Sequence, residues 1–206
     1  MFSAYKTYMN RTFRDTQRHN LIDAIAPLFP SEEASVIDIG CGNGEFASML
    51  QDKRRNLTVE GCEVVDRGPL YIPITYFDGI TLPFADDSFD YAMMINMLHH
   101  TDNPEALLSE AIRVSRKGII IKDHYANNIV DRANLYAMEY MNPNFREIMK
   151  LPLRFYSAGE WDSIMSNLGL VSDVILTDFV SYGRFWDLFF GRNMHFVGRY
   201  HVESRS

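Results

Sequence analysis

The residues with the clearest potential for chemistry are three glycines at alternate positions, Gly40, Gly42 and Gly44. They lie between a mostly apolar run, 36–39, and a segment compatible with a helix, 45–51. Glycine adopts positive φ angles at little cost and lets a ligand approach the main chain closely. A glycine-rich turn that joins a strand to a helix also exposes backbone N–H groups beside the positive end of the helix dipole. The pattern therefore predicts a site for a nucleotide-like cofactor that carries an anionic group.

The spacing of these glycines indicates which cofactor binds. Dinucleotide-binding proteins use GxGxxG or GxGxxA. Here the third glycine comes one residue early, and Glu45 occupies the last position of that pattern. The run 38–44, DIGCGNG, instead resembles the first motif of the class I S-adenosylmethionine-dependent methyltransferases, although a glycine-rich turn that binds nothing is the alternative. The residues that this resemblance assigns to cofactor binding are Asp38, Gly40, Cys41, Gly42 and Gly44.

An acidic residue should follow the second strand, predicted at 57–62, because a carboxylate can accept hydrogen bonds from both hydroxyls of a ribose. In dinucleotide-binding folds this residue lies about 20 residues beyond the glycines. Glu63 lies at that distance, and we favour it over Glu60, which strand alternation would place on the surface. Val64 is then expected to lie against one face of the adenine.

A second motif covers 77–90, FDGITLPFADDSFD, in which Asp78 follows the third predicted strand and can accept hydrogens from the adenine amino group. Together with YAMMI, LHH and the run 105–121, this segment resembles the type 11 branch of the class I methyltransferases over about 34–122. The sequence departs from that branch at 115–117, on an outer loop where cofactor binding is not affected. The resemblance implies methyl transfer from S-adenosylmethionine. It extends the cofactor site to Asp78, Gly79, Asn96 and Met97.

Methyl transfer requires the acceptor to be held in line with the sulfur–methyl bond, and a hydroxyl or ammonium acceptor must also lose a proton. Groups for this chemistry should lie where the fourth and fifth strands end. Our leading base is His124, with Asp123 as its orienting carboxylate and His100 as the next candidate; histidine can accept a proton at neutral pH. For His99 and His100 the alternative is a hydrogen-bonded structural role against the helix at 104–115. A metal site from His100, His124 and Asp123 is a further alternative, but we expect no metal.

Strand-like and helix-like segments alternate along the chain, which predicts a parallel sheet with crossover helices. We predict a doubly wound, Rossmann-like α/β fold with seven strands, mostly parallel, a C-terminal antiparallel hairpin and helices on both faces. We expect a single domain, 1–206, with three parts: an N-terminal helical cap at 1–30, a cofactor-binding half at 34–125 and an acceptor-binding half at 126–206. The remaining predicted strands are 35–40, 74–77, 89–95, 118–122, 170–177 and 195–201, and the remaining helices are 14–28, 104–115, 128–141 and 157–168.

Composition excludes several other classes of protein. The net charge of −7 argues against a nucleic-acid partner, because phosphate backbones require clustered Lys and Arg. The two cysteines, Cys41 and Cys62, have no metal-binding spacing and are expected to be reduced. No apolar run approaches about 18 residues, so we expect no integral membrane contact and a cytoplasmic location.

An aromatic segment, Phe179–Phe190, exceeds the needs of a connection between two strands. We interpret it as the lining of an apolar acceptor pocket, before the alternatives of a homodimer face or a membrane-surface contact. The expected acceptor is a small or lipid-like metabolite, apolar or aromatic. Two other functions stay open at this point: an NAD(P)-dependent oxidoreductase on a related fold, and a non-catalytic binding or scaffold protein that retains the methyltransferase fold.

Overall fold

The structure is a computed structural model that describes residues 15–140, 152–179 and 193–203. Within these ranges, seven strands form one sheet. They are β1 (Ala34–Ile39), β2 (Leu57–Glu63), β3 (Ile74–Tyr76), β4 (Phe89–Ile95), β5 (Ser115–His124), β6 (Leu170–Leu176) and β7 (His195–Val202). Their order across the sheet is β3-β2-β1-β4-β5-β7-β6. The first five strands run parallel, and β7 runs antiparallel to β5 and β6, which confirms the predicted sheet.

Five α-helices connect or flank these strands within the described ranges. They are α1 (15–25), α2 (Glu45–Lys53), α3 (Pro104–Val114), α4 (Ile129–Tyr140) and α5 (Ala158–Asn167). Local sequence sets where two of them begin. The Asn103 side chain accepts a hydrogen bond from the Ala106 N–H at the start of α3, and Ser157 and Glu160 form a capping box at the start of α5. None of the described helices has the length and apolarity needed to cross a bilayer.

Consecutive residues of β4 point into cores on opposite faces of the sheet, as the pleat of a strand requires. Met94 belongs to a core that includes Leu108 of α3. Met93 belongs to a second core that includes Ile25 of α1 and Leu50 of α2. Both methionines are fully buried, which is expected for a central strand covered on both faces. The helices therefore lie on both sides of the sheet, as predicted.

β5 extends beyond the predicted strand, 118–122, at both ends. Ser115, predicted to lie on an outer loop, pairs with β4, and His124 lies opposite His195 in the antiparallel pairing with β7. The prediction that Asp123 and His124 lie beyond the end of the fifth strand is therefore wrong, because both residues lie inside it. Asp123 contacts His99, in the turn after β4, and the ring of His124 lies 4.8 Å from the ring of His195.

The carboxyl ends of the parallel strands meet at one edge of the sheet. The order of the strands reverses between β1 and β4, since β2 continues on one side of β1 and β5 on the other side of β4. Open α/β sheets bind ligands at such a reversal. The loop after Ile39, the carboxylate of Glu63 and the turn that begins at Asn96 all lie at this edge. The candidate site therefore lies above β1 and β4.

Candidate active site

The loop after β1 has an unusual backbone because all three of its glycines are left-handed. Gly40, Gly42 and Gly44 have φ angles of +75°, +63° and +79°. A side chain on Gly44 would also be blocked, since its Cβ would lie 2.3 Å from Cγ1 of Ile72. Gly44 caps the N-terminus of α2, so the loop leads directly into the positive end of that helix.

Hydrogen bonds to the end of β2 fix this loop in place. The backbone N–H groups of Gly40 and Cys41 donate to the carbonyl oxygen of Cys62, over 2.8 and 3.3 Å. The N–H of Gly42 donates to Oε2 of Glu63 over 2.8 Å, and the N–H of Val64 donates to Oε1 over 2.7 Å. The loop and the carboxylate of Glu63 thus form one unit at the carboxyl ends of β1 and β2.

The two acidic residues considered for ribose binding differ in their burial and in their contacts. Glu63 is 4% exposed and its carboxylate contacts the glycine loop, and Nε of Arg67 lies 3.5 Å from its Oε2. Glu60 is exposed on the surface of β2. Of the two residues, Glu63 is therefore the one whose carboxylate lies beside the glycine loop.

Asp38, near the end of β1, is a buried acid. Burial, and then the nearby charge of Glu63, raise the pKa of Asp38 to about 8. The two cysteines beside it, Cys41 and Cys62, are free thiols. Burial and the charge of Glu63 raise the pKa of Cys62 to about 12, and burial and Asp38 also raise the pKa of Cys41. Both thiols stay protonated at neutral pH, and neither is suited to act as a nucleophile.

The segments that follow β2 and β3 bring together Val64, Asp78 and Gly79. A Cβ on Gly79 would lie 3.3 Å from Cγ1 of Val64, whose side chain is 39% exposed. Oδ1 of Asp78 accepts hydrogen bonds from the N–H groups of Thr81 and Ile80, which lower the pKa of Asp78. The structure therefore brings the apolar side chain of Val64 and the ionised carboxylate of Asp78 to the same part of the surface.

The turn after β4 packs against the glycine loop that follows β1. Asn96 is left-handed, with φ of +53°. The side chain of Met97 lies against Gly40, where an added Cβ would come within 3.0 Å of it. The side chain of Lys122 donates a hydrogen bond to Oδ1 of Asn96. Asn96 and Met97 thus connect the glycine loop to a group of polar side chains at the carboxyl ends of β4 and β5.

We call that group the histidine cluster; it consists of His99, His100, Lys122, Asp123, His124, Glu139 and His195. Its centre is Oδ1 of Asp123, which accepts hydrogen bonds from Nδ1 of His99 at 2.7 Å, the backbone N–H of His124 at 2.8 Å and Nδ1 of His124 at 3.1 Å. Burial opposes the charge on Asp123, but His99 and His124 hold its pKa well below the usual range. Asp123 is therefore an ionised carboxylate inside the protein.

The histidines of the cluster differ in protonation. Burial lowers the pKa of His99, but Asp123 and Glu139 more than reverse this and raise it to about 9. Burial and the charge of Lys122 lower the pKa of His124 to about 3. Burial and His99 lower the pKa of His100 to about 4. At neutral pH, His124 and His100 are therefore neutral imidazoles.

The three predicted catalytic residues therefore lie in one cluster but differ in access. Asp123 and His124 are 1% and 2% exposed, whereas His100 is only half-buried. Nε2 of His124 lies 3.4 Å from Nζ of Lys122, whose pKa burial lowers to about 8. His100 is the predicted residue with the most open side chain, at the outer edge of the cluster.

Sequence reasoning missed Glu139, which contacts His99 in the cluster. Nε2 of His99 lies 3.8 Å from Oε1 of Glu139, which is 7% exposed on α4. A signal for Glu139 is present in the sequence. It follows the buried Leu135 by four positions, so it falls on the core-facing side of an amphipathic helix, where an acidic residue needs a partner.

Two predictions concern parts of the chain outside the described residues. These are positions 180–190 of the predicted aromatic segment and positions 1–14 of the predicted N-terminal cap. Phe179 itself lies within the described residues, 6.4 Å from the ring of His195.

Comparison with known proteins places this geometry in context. A family model described as a methyltransferase domain matches residues 12–173. A bifunctional methionine biosynthesis protein, MetXA/MetW, of Rhodopirellula baltica is 30% identical over 61% of the chain. The 27-O-demethylrifamycin SV methyltransferase of Amycolatopsis mediterranei is 31% identical over 48% of the chain. The chain spans 25% of the length of the first relative and 41% of the second.

A solved structure is similar over nearly the whole chain. It belongs to a complex that contains the Trm112 methyltransferase activator of Haloferax volcanii. The TM-score is 0.68, with 15% identity, over 94% of this chain and 93% of the other. At this identity, the likeness supports the fold described above.

Proposed function

The chain belongs to the class I S-adenosylmethionine-dependent methyltransferases of the type 11 kind, and we propose that it transfers a methyl group from S-adenosylmethionine to a small or lipid-like metabolite. The observation that carries this proposal is the unit formed by the left-handed glycine loop and the carboxylate of Glu63. It offers main-chain groups and an acidic acceptor at the point where the strand order reverses.

The residues at this edge of the sheet fit the cofactor. A Cβ on Gly42 would have Cδ of Arg67, at 3.9 Å, as its nearest neighbour, so the main chain is open to a ligand there. The carboxylate of Glu63 can accept hydrogen bonds from both ribose hydroxyls. Val64 and Asp78 are exposed beside it and suit the face and the amino group of an adenine.

S-adenosylmethionine supplies an electrophilic methyl group on a sulfonium sulfur. The protein positions the acceptor and receives the proton that the acceptor loses. We assign that proton to the neutral imidazole of His124, which Asp123 orients through its contact with Nδ1 at 3.1 Å. His100, at the more open edge of the cluster, is assigned to contact with the acceptor.

We propose that the acceptor binds on the outer side of the cluster, beside the exposed side chains of α4. Phe155 stacks on His99 with ring centroids 5.2 Å apart, and Tyr136 of α4 packs edge-on against Phe155 at 5.3 Å. Tyr136 is 44% exposed and Ile129, at the start of α4, is 79% exposed. These surfaces support an apolar or aromatic acceptor. On this proposal residues 34–125 hold the cofactor and residues 126–206 hold the acceptor, within one domain.

The test begins with cofactor binding. We expect calorimetry to show binding of S-adenosylmethionine and no binding of NADH or NADPH. Binding of a nicotinamide cofactor instead would favour the oxidoreductase. Failure to bind S-adenosylmethionine at millimolar concentration would favour the non-catalytic scaffold.

The acceptor can then be sought by incubating the protein and a methyl-labelled cofactor with fractions of a cell extract. Label in an apolar or aromatic small molecule is the expected result. Label confined to protein or nucleic acid would contradict the proposed acceptor class. A homodimer, a cytoplasmic location and independence from nucleic acid stay predictions.

A further inference from the structure

Three side chains of the histidine cluster have the chemistry and placement of metal ligands. Nitrogen atoms of His99 and His100 and a carboxylate oxygen of Glu139 all lie within 4.8 Å of one another. The two histidines occupy the 3₁₀ turn Leu98–His100 after β4, and the glutamate lies near the end of α4. We propose that these three residues bind a divalent first-row transition-metal ion such as Zn²⁺.

The spacing within this trio fits ligands that share an ion. Nε2 of His99 lies 3.8 Å from Oε1 of Glu139, too far for a hydrogen bond. Two ligands, each about 2.1 Å from a tetrahedral zinc ion, lie about 3.4 Å apart, so a small movement of either side chain completes the site.

A second trio, His99 with Asp123 and His124, has different spacing. Nδ1 of His99 lies 2.7 Å from Oδ1 of Asp123. This distance is a hydrogen bond and is too short for two ligands of one ion. Asp123 therefore belongs outside the ligand set.

Hydrogen bonds behind the trio orient the two imidazoles. When the metal displaces the proton from Nε2, the bond from Nδ1 of His99 to Asp123 leaves the lone pair of the neutral imidazole on Nε2, which faces Glu139. Nδ1 of His100 lies 3.4 Å from the carbonyl oxygen of Pro152. A proton on that nitrogen makes the other nitrogen of His100 the acceptor. Metal-binding histidines almost always donate their second nitrogen to a carboxylate or a backbone carbonyl in this way.

Buried atoms without partners point to the same site. Among the described residues, Nε2 of His99 and Oε2 of Glu139 are buried and have no hydrogen-bond partner. Burying a carboxylate without partners is costly. An ion with two positive charges would also balance the two carboxylates, Glu139 and Asp123. The competing arrangement is a proton on His99 between these carboxylates, with no ion.

The ligand types define the class of metal. Two imidazoles and one carboxylate suit zinc, iron(II), cobalt(II) or nickel(II), whereas magnesium prefers oxygen ligands. Three protein ligands leave an open fourth position, as in catalytic rather than structural zinc sites. An ion here would lie at the edge of the cluster that His100 exposes.

The experiment measures metal uptake and does not depend on methyl transfer. The full-length protein is treated with a chelator, dialysed, and titrated with Zn²⁺ and then with Mg²⁺ by calorimetry; metal content is measured after dialysis. We expect one zinc per chain and no comparable uptake of magnesium. No retained zinc in the wild-type protein would overturn the proposal and leave the protonated His99 as the occupant.

Variants locate the site. Glu139→Gln keeps the size of the side chain and should lose zinc binding by at least 100-fold; Asp123→Asn, which acts through His99, should weaken it by about 10- to 100-fold. His201→Gln is the matched control, since Nδ1 of His201 also lies 2.7 Å from a carboxylate, Asp173, but on the surface; it should bind zinc normally. If Glu139→Gln does not fold by circular dichroism, His100→Gln replaces it. Equal zinc affinity in the ligand variants, or equal loss in His201→Gln, would overturn the assignment.

Discussion

The proposed cofactor side and the proposed acceptor side of this site are built from different parts of the polypeptide. The cofactor side consists mainly of backbone: three left-handed glycines and the N–H groups that anchor them, with Glu63 as the main side chain. The acceptor side consists mostly of buried side chains from the turn after β4, from β5, from α4 and from β7. The first kind of site is encoded by residues close in sequence. The second depends on packing between distant segments.

This contrast can be tested by substitutions that act on one side only. The largest expected effect is on cofactor affinity in Gly42→Val. The new side chain would fill the open space beside the loop, so S-adenosylmethionine binding should fall at least 100-fold in calorimetry. Gly169→Val is the matched control, because Gly169 has a similar φ of +66° and no neighbour within 4 Å of an added Cβ. Both variants carry similar backbone strain, and only the first should lose the cofactor; unchanged affinity in Gly42→Val would refute the loop assignment.

The next largest effect concerns the acceptor side. Loss of a general base typically costs about 10²- to 10⁴-fold in rate, so His124→Ala should lower kcat by that order. Its affinity for S-adenosylmethionine should stay within about threefold, because His124 lies outside the glycine loop. His124→Gln, which retains an amide near Asp123, separates loss of the base from loss of packing. Normal turnover in both variants would remove His124 as the base.

A smaller effect is expected from Glu63→Gln. Hydrogen bonds to a charged group contribute about 1.5–3 kcal/mol, so cofactor affinity should fall about 10- to 100-fold. Glu60→Gln serves as the control because Glu60 is exposed on the same strand. If Glu60→Gln weakens binding and Glu63→Gln does not, the assignment of the ribose carboxylate is reversed.

An effect of a different kind, on stability and not on binding, is the pH dependence that Asp38 contributes. Its pKa is about 8 in the folded protein and 3.8 in the unfolded chain, so the folded state binds more protons between these values. This contribution to the free energy of unfolding is complete below pH 4 and is lost as pH rises to 8, by at most about 1.4 kcal/mol per pH unit. Urea denaturation of the cofactor-free protein from pH 4 to pH 9 should show a shallower loss in Asp38→Asn.

Asp90 offers a comparison of opposite sign for that experiment. Although burial opposes its charge, the Ser35 N–H and then Lys117 and Arg116 lower the pKa of Asp90 to about 2. Its contribution to stability is present above the unfolded pKa of 3.8 and is lost as pH falls to about 2. Asp90→Asn should therefore lower stability by a constant amount above about pH 4 and change the slope of the curve only at acid pH, when the titration is extended down to pH 2. A change of slope near pH 7 would contradict these assignments.

The sequence was a good guide to the fold because the signals for strands and turns are local. The three glycines, the apolar β4 and the capping box at Ser157 each predict their own neighbourhood. Glu63 could be chosen because its distance from the glycines follows from the length of α2 and β2.

The histidine cluster was harder to predict because its contacts join segments far apart in the chain. His99 and Glu139 are 40 positions apart, and their contact depends on how α4 packs against the turn after β4. The burial of Asp123 and His124 depends on the extension of β5 by its pairing with β7. The residues that adjoin these histidines in the sequence indicate neither the contact with α4 nor the pairing with β7.

The position of β7 has a consequence for how the chain is assembled during synthesis. β7 inserts between β5 and β6, although it is the last of the described strands to leave the ribosome. Until it arrives, β5 is an open edge whose apolar faces and unpaired backbone groups can recruit another chain. The glycine loop can form while translation continues. Binding of the nucleoside at that stage would stabilise the strands already made, before β7 pairs with β5.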